Sequence, residues 1–337
     1  MKPNNHNLSR FLLALILFCL IFLGGVFMLW RFIRADKPAE QAITASPTAA
    51  PVSPTLAPTS LPTVTPTSSP TVAPRPTPPG QMVDVGGYQL YLYCMGTGSP
   101  TVILEAGLEG DHVTWKEVQP EVARFTHVCS YDRAGLARSD YGPTPRNAKL
   151  AVADLHTLLT KAGIPPPYVL VGHSFGGLLI RRFAFDYPGE VDGMIFVDAL
   201  HEEWWEAALA LLPPASANDP AQLVSFRGYL TEGWRVPSSN FENMDIPAAV
   251  EQVRETGKLG DMPVVVLTAE IFNVLRPGLP PELEQALATL FQQDLQGRLA
   301  ALSTAGSQVV ITGSGHNMPR QQPQAVVKDI QAVVSGL

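Results

Sequence analysis

The sequence predicts an α/β fold: a mostly parallel, eight-stranded sheet flanked by helices, with a small helical cap. Three observations lead there. From Gln81 onward, eight short apolar runs alternate with amphipathic stretches, the texture of a sheet covered by helices. The pentapeptide Gly172-His173-Ser174-Phe175-Gly176 follows the apolar run Tyr168-Val169-Leu170-Val171 and leads into Gly177-Leu178-Leu179-Ile180, which sets a serine on a sharp strand-to-helix turn. A histidine, His316, lies on the loop Gly313-Ser314-Gly315-His316-Asn317, just past the last apolar run.

Ahead of that fold the chain has a different character. After a short tail over residues 1–10, Phe11 to Trp30 is twenty residues without a charge, bracketed by Arg10 and by Arg31 and Arg34. At helical rise this spans a bilayer core, and Met28-Leu29-Trp30-Arg31 offers no small-x-small cleavage site, so residues 11–30 read as an uncleaved signal anchor. The flanking charges do not set its orientation. Residues 31–80 then become rich in proline, threonine, serine and alanine. No apolar period survives there, and regular prolines favour an extended spacer that reaches on the order of 100 Å. Such a stretch is either a cell-surface stalk or an unmodified disordered linker. It points to an extracytoplasmic, single-pass arrangement for the domain at 81–337.

Within that domain, Met82–Val85 and Tyr88–Cys94 join at Gly86-Gly87 as a hairpin. Thr101–Leu104 is a buried strand running into Glu105-Ala106-Gly107-Leu108-Glu109-Gly110. Trp115–Arg124 is expected as a helix and Thr126–Tyr131 as a strand, followed by Asp132-Arg133-Ala134-Gly135 and Ser139. Leucines and alanines at helical spacing make 147–162 a helix that Gly163 stops. The elbow strand, a helix to Tyr187, and the strand Val191–Val197 ending in Asp198 come next. Residues 201 to about 260 scatter aromatics among prolines and polar residues, and read as a mainly helical insertion over the site. Pro263–Thr268 is a strand, Pro281–Ala305 one long helix, Ser307–Thr312 the final strand and Gln324–Val334 the closing helix.

Four motifs now stand in order: the glycine-containing loop after the third strand, Asp132-Arg133-Ala134-Gly135 with Ser139 after the fourth, the elbow after the fifth, and His316 after the last. With them, residues 82–337 resemble the α/β-hydrolases, the large family that includes esterases, haloalkane dehalogenases and epoxide hydrolases. The resemblance implies a serine hydrolase without a cofactor, acting on a small ester-like substrate through an acyl-serine intermediate.

Ser174 is the expected nucleophile. A hydroxyl attacks poorly at neutral pH unless a base accepts its proton, and His316 is the candidate because imidazole titrates near working pH. His173 adjoins the serine, but its side chain is expected to point away and pack. The base needs a carboxylate to hold its tautomer. The family's commonest position for that acid, after the seventh strand, falls near Phe272, where this chain has no aspartate. Asp198 at the end of the sixth strand is preferred, with Glu270 as the alternative. The oxyanion donors implied by the resemblance are the backbone N–H groups of Phe175 and Leu108. Ala106 replaces the histidine that usually braces the second donor's loop. Asp132, Arg133, Gly135 and Ser139 are expected to be structural.

Composition narrows the alternatives. The net charge is -7 and no basic block occurs, which argues against nucleic-acid binding. No His/Cys/Asp/Glu cluster has metal-ligand spacing, and no glycine-rich loop has a phosphate-binding context. Of three cysteines, Cys19 lies in the apolar span, while the family's sheet order makes the strands of Cys94 and Cys129 neighbours, as a disulfide or as two buried thiols. The competing readings are a non-enzymatic surface or binding protein on the same scaffold, and other activities of the same triad: peptidase, thioesterase, acyltransferase or cofactor-free peroxidase.

Overall fold

The computed structural model describes residues 80–272 and 278–337. The expected anchor over 11–30 and the proline-rich linker up to residue 79 lie outside them. No helix among the described residues is long and apolar enough to cross a membrane.

Eight strands form one sheet. In chain order they are β1 (Gln81–Asp84), β2 (Gln89–Met95), β3 (Thr101–Glu105), β4 (Val128–Tyr131), β5 (Tyr168–His173), β6 (Val191–Val197), β7 (Val264–Ala269) and β8 (Gly306–Ile311). Their spatial order is β1-β2-β4-β3-β5-β6-β7-β8. β1 and β2 run antiparallel and every pairing from β4–β3 onward is parallel. The strand order turns back between β3 and β5, and such reversals leave a crevice at the carboxyl ends of the strands.

Why these segments become central strands is visible in β5. All its residues are buried, and they alternate between two apolar layers: Tyr168 and Leu170 face one, Val169 and Val171 the other. The first layer packs under α2 (Ala148–Lys161) and α3 (Gly176–Asp186), through Leu155, Leu158, Leu159, Leu178, Leu179 and Phe183. Asn147 caps α2 by accepting from the Leu150 N–H. The second layer packs under Trp115 and Val118, under Val122 of α1 (Gln119–Val122), and under Val326 and Ile330 of the closing helix α10 (Pro323–Gly336), which follows the short α9 (Met318–Gln321).

The insertion between β6 and β7 is helical, with α4 (Trp204–Ala210), α5 (Ala221–Thr231) and α6 (Ile246–Arg254), and two short 3₁₀ turns, Gly233–Arg235 and Pro237–Ser239, lie between α5 and α6. Its tryptophans are core, whereas Tyr229 and Phe241 are exposed. Trp204, Trp205 and Trp234 are buried, and the last two stack with centroids 4.9 Å apart.

Two helical expectations need correction. Trp115–Arg124 is not one helix but a 3₁₀ turn over His112–Trp115 followed by the single turn of α1. Pro281–Ala305 is divided into α7 (Pro281–Thr289), a π-helical stretch (Leu290–Leu295) and α8 (Gln296–Ala300). Within the π stretch, Gln292 donates to the carbonyls of Ala269 and Glu270, so a side chain of the widened turn ties it to the end of β7.

Cys94 and Cys129 lie directly opposite each other on the antiparallel pair β2–β4, with Cα atoms 4.1 Å apart, and are joined as a disulfide.

Candidate active site

The elbow after β5 has the backbone its glycines imply. Ser174 sits at φ +52°, in the left-handed region that L-residues rarely occupy. A side chain at Gly172 would lie 2.7 Å from the Gly176 carbonyl oxygen, and one at Gly176 would lie 2.6 Å from that of Glu105. Both positions therefore exclude any Cβ, which lets the turn close tightly against the loop leaving β3. The chain then enters α3 at once, so the Phe175 N–H belongs to the unpaired head of a helix.

Three side chains from three strand ends meet there. His316 Nε2 lies 3.1 Å from Ser174 Oγ, and His316 Nδ1 lies 2.7 Å from Asp198 Oδ2. Because a carboxylate only accepts, Nδ1 carries the proton and Nε2 turns its lone pair to the serine hydroxyl. Asp198 is 1% exposed and follows β6 at φ +43°; its second oxygen accepts from the Ala269 N–H at 2.9 Å. The carboxylate is thus held on both oxygens, one by β7 backbone and one by imidazole. Glu270 is elsewhere: it is exposed, and its Oε2 accepts from the Gly313 N–H at 2.8 Å. Of the two acid candidates, the fold brings Asp198 to the histidine.

The loop leaving β3 lies against the serine. A Cβ built on Gly107 would stand 3.1 Å from Ser174 Cβ. Neither the Leu108 N–H nor the Phe175 N–H donates to another group among the described residues.

His173 does more than pack. It is buried, meets Trp115 edge-on, and donates Nε2–H to the His316 carbonyl at 2.8 Å. Burial, then the neighbouring His316 charge, pushes it down to about 4, so the ring is neutral across the working range.

Arg133, read from sequence as structural, is the hub of a buried cluster. Its guanidinium donates to Glu105, to the carbonyls of Ala106 and Gly107, and to both oxygens of Glu242 from the insertion. Burial would lower Arg133, but the Glu242 and Glu105 carboxylates outweigh it and hold the guanidinium above its ordinary value. Glu105 is raised by burial, and Tyr131 donates its hydroxyl to it. Glu242 had no local sequence signal; it is 109 residues from Arg133.

Asp132 and Ser139 stay structural: Asp132 accepts from His112 and Ser139 donates to the Asp132 carbonyl. Two groups of ligand-type side chains come together that sequence spacing did not suggest, namely Cys94 with His127 and Cys129, and Asp111 with His112 and Asp132. Both have structural employment, since the two sulfurs are bonded to each other and the carboxylates accept from backbone and imidazole N–H groups.

Comparison with known proteins agrees with this geometry at the level of fold. A family model described as alpha/beta hydrolase fold matches residues 100–258. An AB hydrolase superfamily protein of Gibberella zeae is 26% identical over 277 residues, covering 70% of this chain and 86% of that protein. The "Probable transporter efuK" of Hormonema carpetanum is 26% identical over 296 residues, and the match spans 75% of this chain but 42% of that longer protein. Among solved structures, a thermophilic esterase from Thermogutta terrifontis superposes with a TM-score of 0.51 at 22% identity, covering 76% of this chain and 98% of the esterase.

Proposed function

We propose that this chain, an α/β-hydrolase by fold and by the match over residues 100–258, is a serine hydrolase that cleaves ester-type bonds through an acyl-Ser174 intermediate. The observation that supports it most is the continuous contact from Asp198 Oδ2 through His316 to Ser174 Oγ, at 2.7 and 3.1 Å.

In this reading Ser174 Oγ attacks the acyl carbon while its proton passes to His316 Nε2. Asp198 stabilises the imidazolium and fixes the ring. The carbonyl oxygen, now an oxyanion, is met by the N–H groups of Phe175 and Leu108. Collapse expels the alcohol, which takes the proton from His316, and leaves the acyl group on Ser174. A water then gives its proton to His316 Nε2 and attacks the acyl carbon. The second tetrahedral species collapses to the acid as His316 Nε2 returns its proton to Ser174 Oγ, which restores the site. The site residues need no redox partner for this chemistry. Anchoring through residues 11–30 belongs to the same proposal, on the strength of their apolar sequence.

The test is hydrolysis of p-nitrophenyl esters of graded chain length by the purified full chain. Turnover that Ser174→Ala abolishes is expected. Turnover unchanged in Ser174→Ala overturns the assignment, and a folded chain inert to every ester favours a binding protein on a hydrolase scaffold.

A further inference from the structure

The loop that would carry the second oxyanion donor lacks the bracing histidine, since Ala106 stands there. The brace comes from Arg133 instead. Its Nη1 donates to the Ala106 carbonyl at 2.8 Å and its Nη2 to the Gly107 carbonyl at 2.6 Å, and the Gly107 oxygen also accepts from the Gly110 N–H. In a trans peptide the C=O and the next residue's N–H point in opposite directions. Pinning the Gly107 carbonyl onto the guanidinium therefore turns the Leu108 N–H away from Arg133, with Ser174 adjoining Gly107.

The guanidinium is in turn aimed by the insertion. Glu242 takes Nε on one oxygen and Nη2 on the other, a two-point grip that fixes the plane of the group. The same Glu242 accepts from the Glu109 N–H at 2.7 Å, while the Glu109 carboxylate accepts from the Phe241 N–H at 2.9 Å. Glu109 lies at φ +60°, so a strained residue of the loop is clasped on both its N–H and its side chain. The insertion segment is itself fixed: Asn240 and Met244 exchange hydrogen bonds, and Arg146 pairs with Asn243 and Asp245 backbone.

We propose that Arg133 and Glu242 are positioning residues that orient the Leu108 N–H, so that the cap between β6 and β7 sets the donor geometry at Ser174. This rests on the serine-hydrolase reading for its consequence in turnover, but its structural content does not. Disturbing the cap at Glu242 loosens the 106–110 loop whether or not an ester is being cleaved.

Two readouts on the full chain separate these levels. Steady-state hydrolysis of p-nitrophenyl butyrate reports turnover, and hydrogen exchange of the peptide spanning residues 106–110 reports the loop, with thermal unfolding as the check on folding. Glu242→Ala is expected to lower kcat by roughly 10- to 100-fold, a part of what loss of an oxyanion donor causes. KM should stay within about threefold, and loop exchange should quicken by about tenfold, with α2 unaffected. Glu242→Gln keeps an acceptor for the Glu109 N–H and should retain more turnover than Glu242→Ala. Arg133→Lys, which cannot span two carboxylates and two carbonyls, should resemble Glu242→Ala. If Glu242→Ala does not fold, Glu109→Ala, at an exposed residue, removes one clasp and should show the same changes at smaller amplitude.

Unchanged loop exchange overturns the proposal. So does a raised KM at unchanged kcat, which would make Glu242 a substrate-recognition element. A wild-type chain inert toward the ester counts against the hydrolase reading alone, because exchange of the loop still decides the brace.

Discussion

The Nε2–H of His173 donates to the backbone carbonyl of His316 over 2.8 Å, so the residue before Ser174 holds the loop that carries His316. That contact requires a proton on Nε2, and burial keeps the rest of the ring neutral by lowering His173 to about 4.

Stability should depend on this. With a folded value near 4 against 6.5 unfolded, the unfolded chain binds the proton first as pH falls. Stability is then intact above about pH 6.5 and declines through the window down to about pH 4, by roughly 3 kcal/mol for this residue. Burial depresses His127 and His201 in the same direction. Denaturant unfolding of His173→Asn at pH 7 and pH 4.5 should show a smaller loss between the two than wild type. An identical loss would remove His173 from the acid response.

Asp198 and Glu270 are separated by their partners. Asp198→Asn leaves the imidazole facing an amide and permits the wrong tautomer, so kcat should fall by about 10³-fold or more. Glu270→Gln, at an exposed side chain bound to Gly313, should stay within a few-fold of wild type. Steady-state kinetics of both variants checks this; the reverse pattern would reassign the acid.

The Cys94–Cys129 bond joins β2 to β4 across a separation of 35 residues. Closing a loop of that length restricts the unfolded chain and contributes about 2–4 kcal/mol. Thiol titration of the denatured full chain should find one thiol before reduction, that of Cys19, and three after. Three beforehand would show that the pair is free. Reduction should lower the unfolding midpoint.

The central strands were legible because burial on both faces writes them as continuous apolar runs, as in Val169–Val171 of β5. The elbow was legible because two positions beside Ser174 tolerate no Cβ, which forces Gly172 and Gly176. His316 was singled out by following the last strand. What sequence could not decide was set by distance along the chain. Asp198 and Glu270 both end strands, and only the fold shows that one lies against a histidine 118 residues away. The clasp of Glu242 on Arg133 and Glu109 has no periodicity or spacing to announce it. The π-helical stretch at Leu290–Leu295 escaped for a related reason: its residues suit an ordinary helix, and the contacts of Gln292 with the end of β7 are tertiary.

Under the proposed function, Ser174 is a nucleophile activated by His316. Peptide mass mapping of the full chain after reaction with a fluorophosphonate tests it most directly, because the reagent forms a lasting bond with an activated serine. One adduct is expected, on the peptide containing Ser174, absent in Ser174→Ala and strongly slowed in His316→Ala. No adduct on the folded wild-type chain, or equal labelling at Ser174 when His316 is removed, would contradict it.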